Sequence, residues 1–213
     1  MINWPNHPPD CPNWEYENHP EKKKILPTRV ADVLGDLARG HLDTRRVALD
    51  TRGVHEHCFR QLTPVGCEYY AGHYRGEEYR CLLWYTVGIK SDPRVGCPPQ
   101  AVTFLMQELK ATIDSGFVAL DSTASLTARE RLHYLIIIAS RVFELFLRVH
   151  PFANGNGHAG RFIVWSMLGR YGHWPRKWSV EPRPGPPYLD AIKAYRNGDP
   201  RLLEHYLHST LTA

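Results

Sequence analysis

His150 opens a run that reads His-Pro-Phe-Ala-Asn-Gly-Asn-Gly-His-Ala-Gly-Arg and ends at Arg161. Imidazole titrates close to neutrality, so a positioned histidine can accept a proton at physiological pH. Pro151 disfavours the α conformation at His150 and should end any helix arriving there. Gly155 and Gly157 let the backbone turn through conformations closed to side chains. A helix that starts inside such a loop presents unpaired N–H groups and a positive dipole end. That combination binds anions, phosphates above all. A histidine next to a phosphate cradle is suited to proton removal in phosphoryl or nucleotidyl transfer.

The loop needs two helices to hold it. The apolar run Leu132 to Val149 leads into it, and Phe162 to Leu168 follows. Gly155, Gly157 and Gly160 also satisfy the dinucleotide-binding pattern G-x-G-x-x-G, which requires a preceding strand and an acid about 20 residues on. The preceding segment reads as a helix, and Leu168 to Val180 contains no Asp or Glu. The dinucleotide reading is rejected on both counts.

The incoming helix begins near Thr127, with Glu130 at the capping-box position. Its polar residues at 130, 133, 141, 144 and 148 form one stripe, so it should lie in the middle of the domain. Upstream, residues 1–27 hold six prolines and suggest an extended arm, which Trp4, Trp14 and Tyr16 could dock onto the body. Thr28 is placed to cap a helix that Gly40 ends. A second helix is expected from about Arg45 to Leu62, kinked near Gly53. Tyr79, Cys81, Leu83, Tyr85, Val87 and Ile89 alternate and predict a short β-hairpin. Pro98-Pro99 should open a helix over Val102 to Ile113. The outgoing helix is expected from Gly157 to Tyr171, followed by two short ones, Tyr188 to Tyr195 and Pro200 to Leu211.

With 213 residues, 43 % hydrophobic and 23 % charged, the chain is an ordinary globular protein: an arm (1–27) and one domain (28–213). A net charge of +4 suits a polyanionic ligand. No Lys/Arg stripe points to nucleic acid; Lys22 to Lys24 is a run of only three. Arg141, Glu144 and Arg148 interrupt the most apolar stretch and argue against a membrane span. No signal peptide is read at Met1. The five cysteines, Cys11, Cys58, Cys67, Cys81 and Cys97, are odd in number and lack C-x-x-C. Reduced thiols in the cytoplasm are expected. His55, His57, Cys58 and Cys67 lack structural-zinc spacing, and no zinc is predicted.

The run from His150 to Arg161 resembles the Fic (Fido) family motif H-P-F-x-(D/E)-G-N-(G/K)-R-x-x-R. It matches at His150, Pro151, Phe152, Gly155, Asn156, Gly157 and Arg161. It departs at Asn154, where the family usually has an acid, and at His158, where it has its first arginine. Ala71-Gly72-His73-Tyr74-Arg75, Val87-Gly88 with Pro98-Pro99, and Tyr195 to Leu207 look like further family segments, so the resemblance covers about residues 45–210. It implies a mainly α fold, a helical bundle with a short β-hairpin flap. It also implies transfer of AMP, or a related nucleotide moiety, from ATP to a Ser, Thr or Tyr hydroxyl of a target protein.

By that resemblance His150 is the general base and Phe152 anchors the loop. Asn156, with the N–H groups of 155–157, would hold the α-phosphate, and Arg161 the outer phosphates. Asn154 takes the Mg²⁺ position. His158 could contact phosphate as a cation, in which case turnover would improve below neutrality. Arg75, Tyr85 and Val87 belong to the flap, which would position the target by strand addition. Fic proteins are often restrained by a helix carrying (S/T)-x-x-x-E-(G/N), in some cases on a partner protein. Asn13-Trp-Glu-Tyr-Glu17-Asn18 approaches that pattern, but with Asn for Ser/Thr. Asn154 and His158 also admit other readings: a donor of phosphate or phosphocholine, or a module that binds without chemistry.

Overall fold

The computed structural model describes residues 8–89 and 92–211. Trp4 lies outside them. Eight α-helices carry the described residues: α1 (Lys22–Arg39), α2 (Thr44–Leu49), α3 (Arg52–Phe59), α4 (Pro99–Ser122), α5 (Ala128–Val149), α6 (Asn156–Arg170), α7 (Tyr188–Arg196) and α8 (Arg201–Leu211). The mainly α fold is as expected. The arrangement is built around α6, which is buried along almost its whole length and packs on α2 and α5.

Local signals set most boundaries. Thr127 and Glu130 form the capping box that starts α5. Gly40 ends α1 in the left-handed region. Pro99 occupies the first turn of α4, where a missing N–H costs nothing. That helix runs past the expected Ile113 because Phe117 and Leu120 continue its buried stripe. Asp50 divides the expected second helix: its extended backbone ends α2, and its carboxylate accepts the Arg52 N–H at the start of α3. The break therefore falls at Asp50, not Gly53.

Three expectations are corrected. First, α1 starts at Lys22 and runs through Pro27, so the arm boundary at residue 27 falls inside a helix. Thr28 is no cap; its hydroxyl donates to the Lys24 carbonyl. Leu26, Val30, Val33 and Leu37 are all buried, and that stripe outweighs the hydrogen bond lost at proline.

Second, no β-hairpin forms among the described residues; Ile89 and Asp92 share one isolated bridge. The backbone of 79–85 closes short turns instead, Leu82 N–H to Tyr79 O and Tyr85 N–H to Leu82 O. Adjacent Cys81 and Leu82 are both buried, so the alternation in sequence does not sort residues to two faces.

Third, Cys11 and Cys81 form a disulfide. Cys58, Cys67 and Cys97 are free. Seventy residues separate the bonded pair. Only the docked arm brings them together, and spacing could not show this. Trp14 and Tyr16 bury against α3 and the 62–85 segment, with the Trp14 indole donating to Leu62 O at 2.8 Å.

Candidate functional site

The loop between α5 and α6 forms one wall of a cavity of about 630 Å³. Tyr16, Glu17, Lys22 and the 181–183 segment form much of the rest. Of the residues expected to act together, His150, Asn154, Gly155, Asn156, Gly157, His158 and Arg161 all line it. Phe152 lies beneath, fully buried.

His150 ends α5 in the left-handed conformation, φ 54° and ψ 61°. Pro151 forbids a right-handed continuation, and this is the alternative the chain takes. Its Nδ1 sits 2.8 Å from the Leu147 carbonyl. A carbonyl only accepts, so Nδ1 carries the proton and Nε2 keeps its lone pair. Burial pushes the imidazole down to about 4, with Arg75 and Arg196 adding to the shift. His150 is therefore a neutral base of fixed tautomer at physiological pH.

The glycine turn is locked from two sides. Asn156 spends its side chain inside the loop: Oδ1 accepts the Phe152 N–H at 2.8 Å and Nδ2 donates to Phe152 O at 2.9 Å. Its amide is thus a brace, and only its backbone N–H remains for a ligand. The N–H groups of Asn156 and Gly157 precede the first intrahelical bond of α6 and have no acceptor among the described residues. From beneath, His55 receives the Gly72 N–H on Nδ1 (3.0 Å) and donates from Nε2 to Asn154 O (2.9 Å). Its ring stacks on Phe152 at 3.7 Å. Burial holds it neutral, at about 3.

In the sequence His55 reads as an ordinary helix residue. Its spacing from the loop, 99 residues, carried no local signal. Gly155 completes the lock. Its φ is +74°, and a Cβ would stand 2.8 Å from both His55 Nε2 and Phe59 Cε2. Gly155→Ala is expected to cost about 1–3 kcal/mol from backbone strain alone. Denaturant unfolding would check this; a loss under ~0.5 kcal/mol would show the turn is not fixed.

The surroundings of His158 do not favour the cation that a phosphate contact would need. Nε2 is 2.7 Å from Glu181 Oε2, and a carboxylate accepts, so Nε2 carries hydrogen. Nδ1 faces the Tyr16 hydroxyl at 3.5 Å. Burial holds the Tyr16 phenol above its ordinary range, so it stays protonated and donates. Burial also lowers His158, although Glu181 pulls the other way. The ring is neutral with both nitrogens committed. The hydrogen bond from His158 holds Glu181 ionised, down at about 2, and Lys22 pairs with it at 3.2 Å.

Arg161 is buried and has no carboxylate within ion-pair distance among the described residues. Nε and Nη2 donate to Val180 O, and Nη1 to the Tyr188 hydroxyl. Glu17 does not reach it. That carboxylate, on a short turn, accepts from Asn154 Nδ2 at 3.1 Å.

The expected magnesium position does not fit the ion. Asn154 Oδ1 already accepts the Gly155 N–H at 2.7 Å, and Nδ2 is tied to Trp14 O and Glu17. Magnesium favours carboxylate, phosphate and water oxygens in octahedral array. Among the described residues no group of three or more His, Cys, Asp or Glu could hold a metal.

The three residues expected in a flap have other positions. Arg75 is wholly buried, and its guanidinium donates to the carbonyls of Tyr85, Cys97, Val149 and His150. It caps α5 and so positions His150. Burial lowers it to about 10, still charged at neutral pH. Tyr85 is buried, its hydroxyl accepting the Trp14 N–H. Val87 packs at the edge of the same cluster.

A neutral imidazole at one helix end and the open amides that begin the next line one cavity of a helical domain. The Fic/DOC family model matches residues 49–168, and the chain belongs to that family. No curated protein matches it. Among solved structures it is similar to the BepC protein, a VirB-translocated effector from Bartonella tribocorum, determined with bound AMPPNP. The identity is 18 % and the TM-score 0.56, over 87 % of this chain and 85 % of that one. At that identity the likeness concerns the fold. No helix among the described residues is long and apolar enough to cross a membrane.

Proposed function

We propose that this protein is a nucleotide-dependent transferase that moves AMP, or a related nucleotide moiety, onto a hydroxyl of a target protein. The observation that carries this is the pairing of His150, whose Nε2 lone pair is free, with the two open amides that begin α6 on one cavity wall. A phosphate held by those amides gains charge stabilisation where the transition state needs it. His150 Nε2 takes the proton of the attacking hydroxyl. Arg161 supplies the formal charge. Asn156 and His55 keep the turn rigid, which orients the phosphate. No step is assigned to magnesium.

Asn154 and His158 favour a second reading, a module that binds nucleotide without transferring it, because both side chains are engaged by protein partners. Adenine-labelled nucleotides (ATP, ADP and ADP-ribose) mixed with protein and cell lysate separate the two. The transferase reading expects label on protein, lost in His150→Ala. Nucleotide binding with no label transferred in any mixture establishes the module instead.

A further inference from the structure

Resting on that reading, the remaining charges of the cavity select what the nucleotide carries beyond its first phosphate. Three of the five N–H donors of Arg161 are used by Val180 O and the Tyr188 hydroxyl. Two remain for a ligand. Together with the amides of Asn156 and Gly157, they match two phosphates.

The rest of the lining has the reverse chemistry. His158, where the family motif carries an arginine, offers no charge and no free donor: its nitrogens go to Glu181 and Tyr16. Its partner Glu181 and the nearby Glu17 bring two carboxylates to the lining. Lys22 is already paired with Glu181, and Arg183 sits at the exposed rim. A third phosphate would bring acceptor oxygens against acceptor oxygens and like charge against like charge. Hydroxyl groups would donate to those same carboxylates.

We propose that the cavity selects a nucleoside diphosphate bearing a hydroxyl-rich distal group over a nucleoside triphosphate, with Glu181 as the specificity-determining residue. The transferred group is unchanged. The attacking hydroxyl oxygen bonds to the α-phosphorus, and its proton passes to His150 Nε2. The bond from that phosphorus to the bridging oxygen breaks. The leaving group departs as a sugar phosphate instead of pyrophosphate.

Calorimetric titration of the full chain with AMP, ADP, ATP and ADP-ribose holds the base constant and tests this. ADP-ribose is expected to bind at least tenfold more tightly than ATP. In Glu181→Gln that ratio should shrink at least fivefold, chiefly through tighter ATP binding. ATP binding as tightly as ADP-ribose in the native protein overturns the proposal, without recourse to a variant. An unchanged ratio in folded Glu181→Gln also overturns it. Binding of none of the four nucleotides refutes the nucleotide-dependent function itself, and the donor preference falls with it.

Discussion

Replacing His150 by alanine is expected to reduce transfer about 100- to 10,000-fold, the usual contribution of a positioned base. Nucleotide affinity should hardly change, since the phosphate contacts come from α6 and Arg161. Initial rates with labelled donor, beside a binding titration, separate the two effects. A parallel loss of affinity would show that the side chain holds ligand instead of accepting a proton. The pH dependence carries the same signature. His150 is neutral down to about 4, so its contribution to the rate should be flat from pH 5.5 to 8. A rate that climbs as pH drops below 7 would restore a cationic His158. The fold has its own acid limit. His55 and His150 have folded values of about 3 and about 4, against an ordinary 6.5. The unfolded chain therefore binds more protons below 6.5, and stability falls as pH drops from there toward 3. Rates below pH 5 need an unfolding control.

Arg75→Met is expected to destabilise the protein by about 3–5 kcal/mol, in the range reserved for broken buried networks. The methionine fills most of the volume but donates nothing. Carbonyls of Tyr85, Cys97, Val149 and His150 are left buried without the donor they share. Each orphaned acceptor costs about 1–3 kcal/mol before relaxation. Arg75→Lys should recover only part, because one ammonium cannot span four carbonyls on three segments. Urea unfolding monitored by tryptophan fluorescence reads both values. A loss below ~1 kcal/mol for Arg75→Met would mean that water replaces the guanidinium and that α5 does not depend on it.

Signals confined to a few neighbouring residues were legible in the sequence. Thr127 with Glu130, Pro99, Gly40 and Gly155 each fix a local backbone conformation where the chain predicted it, whereas Gly157, expected in the turn, lies inside α6 without a positive φ. The site residues at 150–161 were legible because one short motif contains them. Long-range contacts were not. His55 meets the loop across 99 residues, and Cys11 meets Cys81 across 70. Neither spacing has a period or a composition to reveal it. Arg75 shows a different gap. A glycine-tyrosine-arginine segment suggested a surface flap, yet the guanidinium is interior, because carbonyls at the end of α5 offer it more than water does. The hairpin failed for a related reason. Alternation predicts two faces, but adjacent Cys81 and Leu82 are both buried and the segment closes short turns.

His158 shows how a residue's chemical type is legible in the sequence while its partners are not. An unshifted imidazole is already mostly neutral at pH 7, and its partners, Glu181 23 residues further on and Tyr16 142 residues back, carry no local signal. Burial lowers His158 against the pull of Glu181, and the two partners take both ring nitrogens. Of the cations lining the cavity, Lys22 is paired with Glu181 and Arg183 is exposed, so Arg161 is the buried charge beside the glycine turn, and the proposed donor preference turns on Glu181.

The most direct test is a crystal structure of the protein with a non-hydrolysable adenine nucleotide. It should show a phosphate oxygen accepting from both the Asn156 and Gly157 N–H groups, with space for a hydroxyl at His150 Nε2. A nucleotide seated elsewhere, or those two amides turned onto protein acceptors while ligand is bound, would contradict the account.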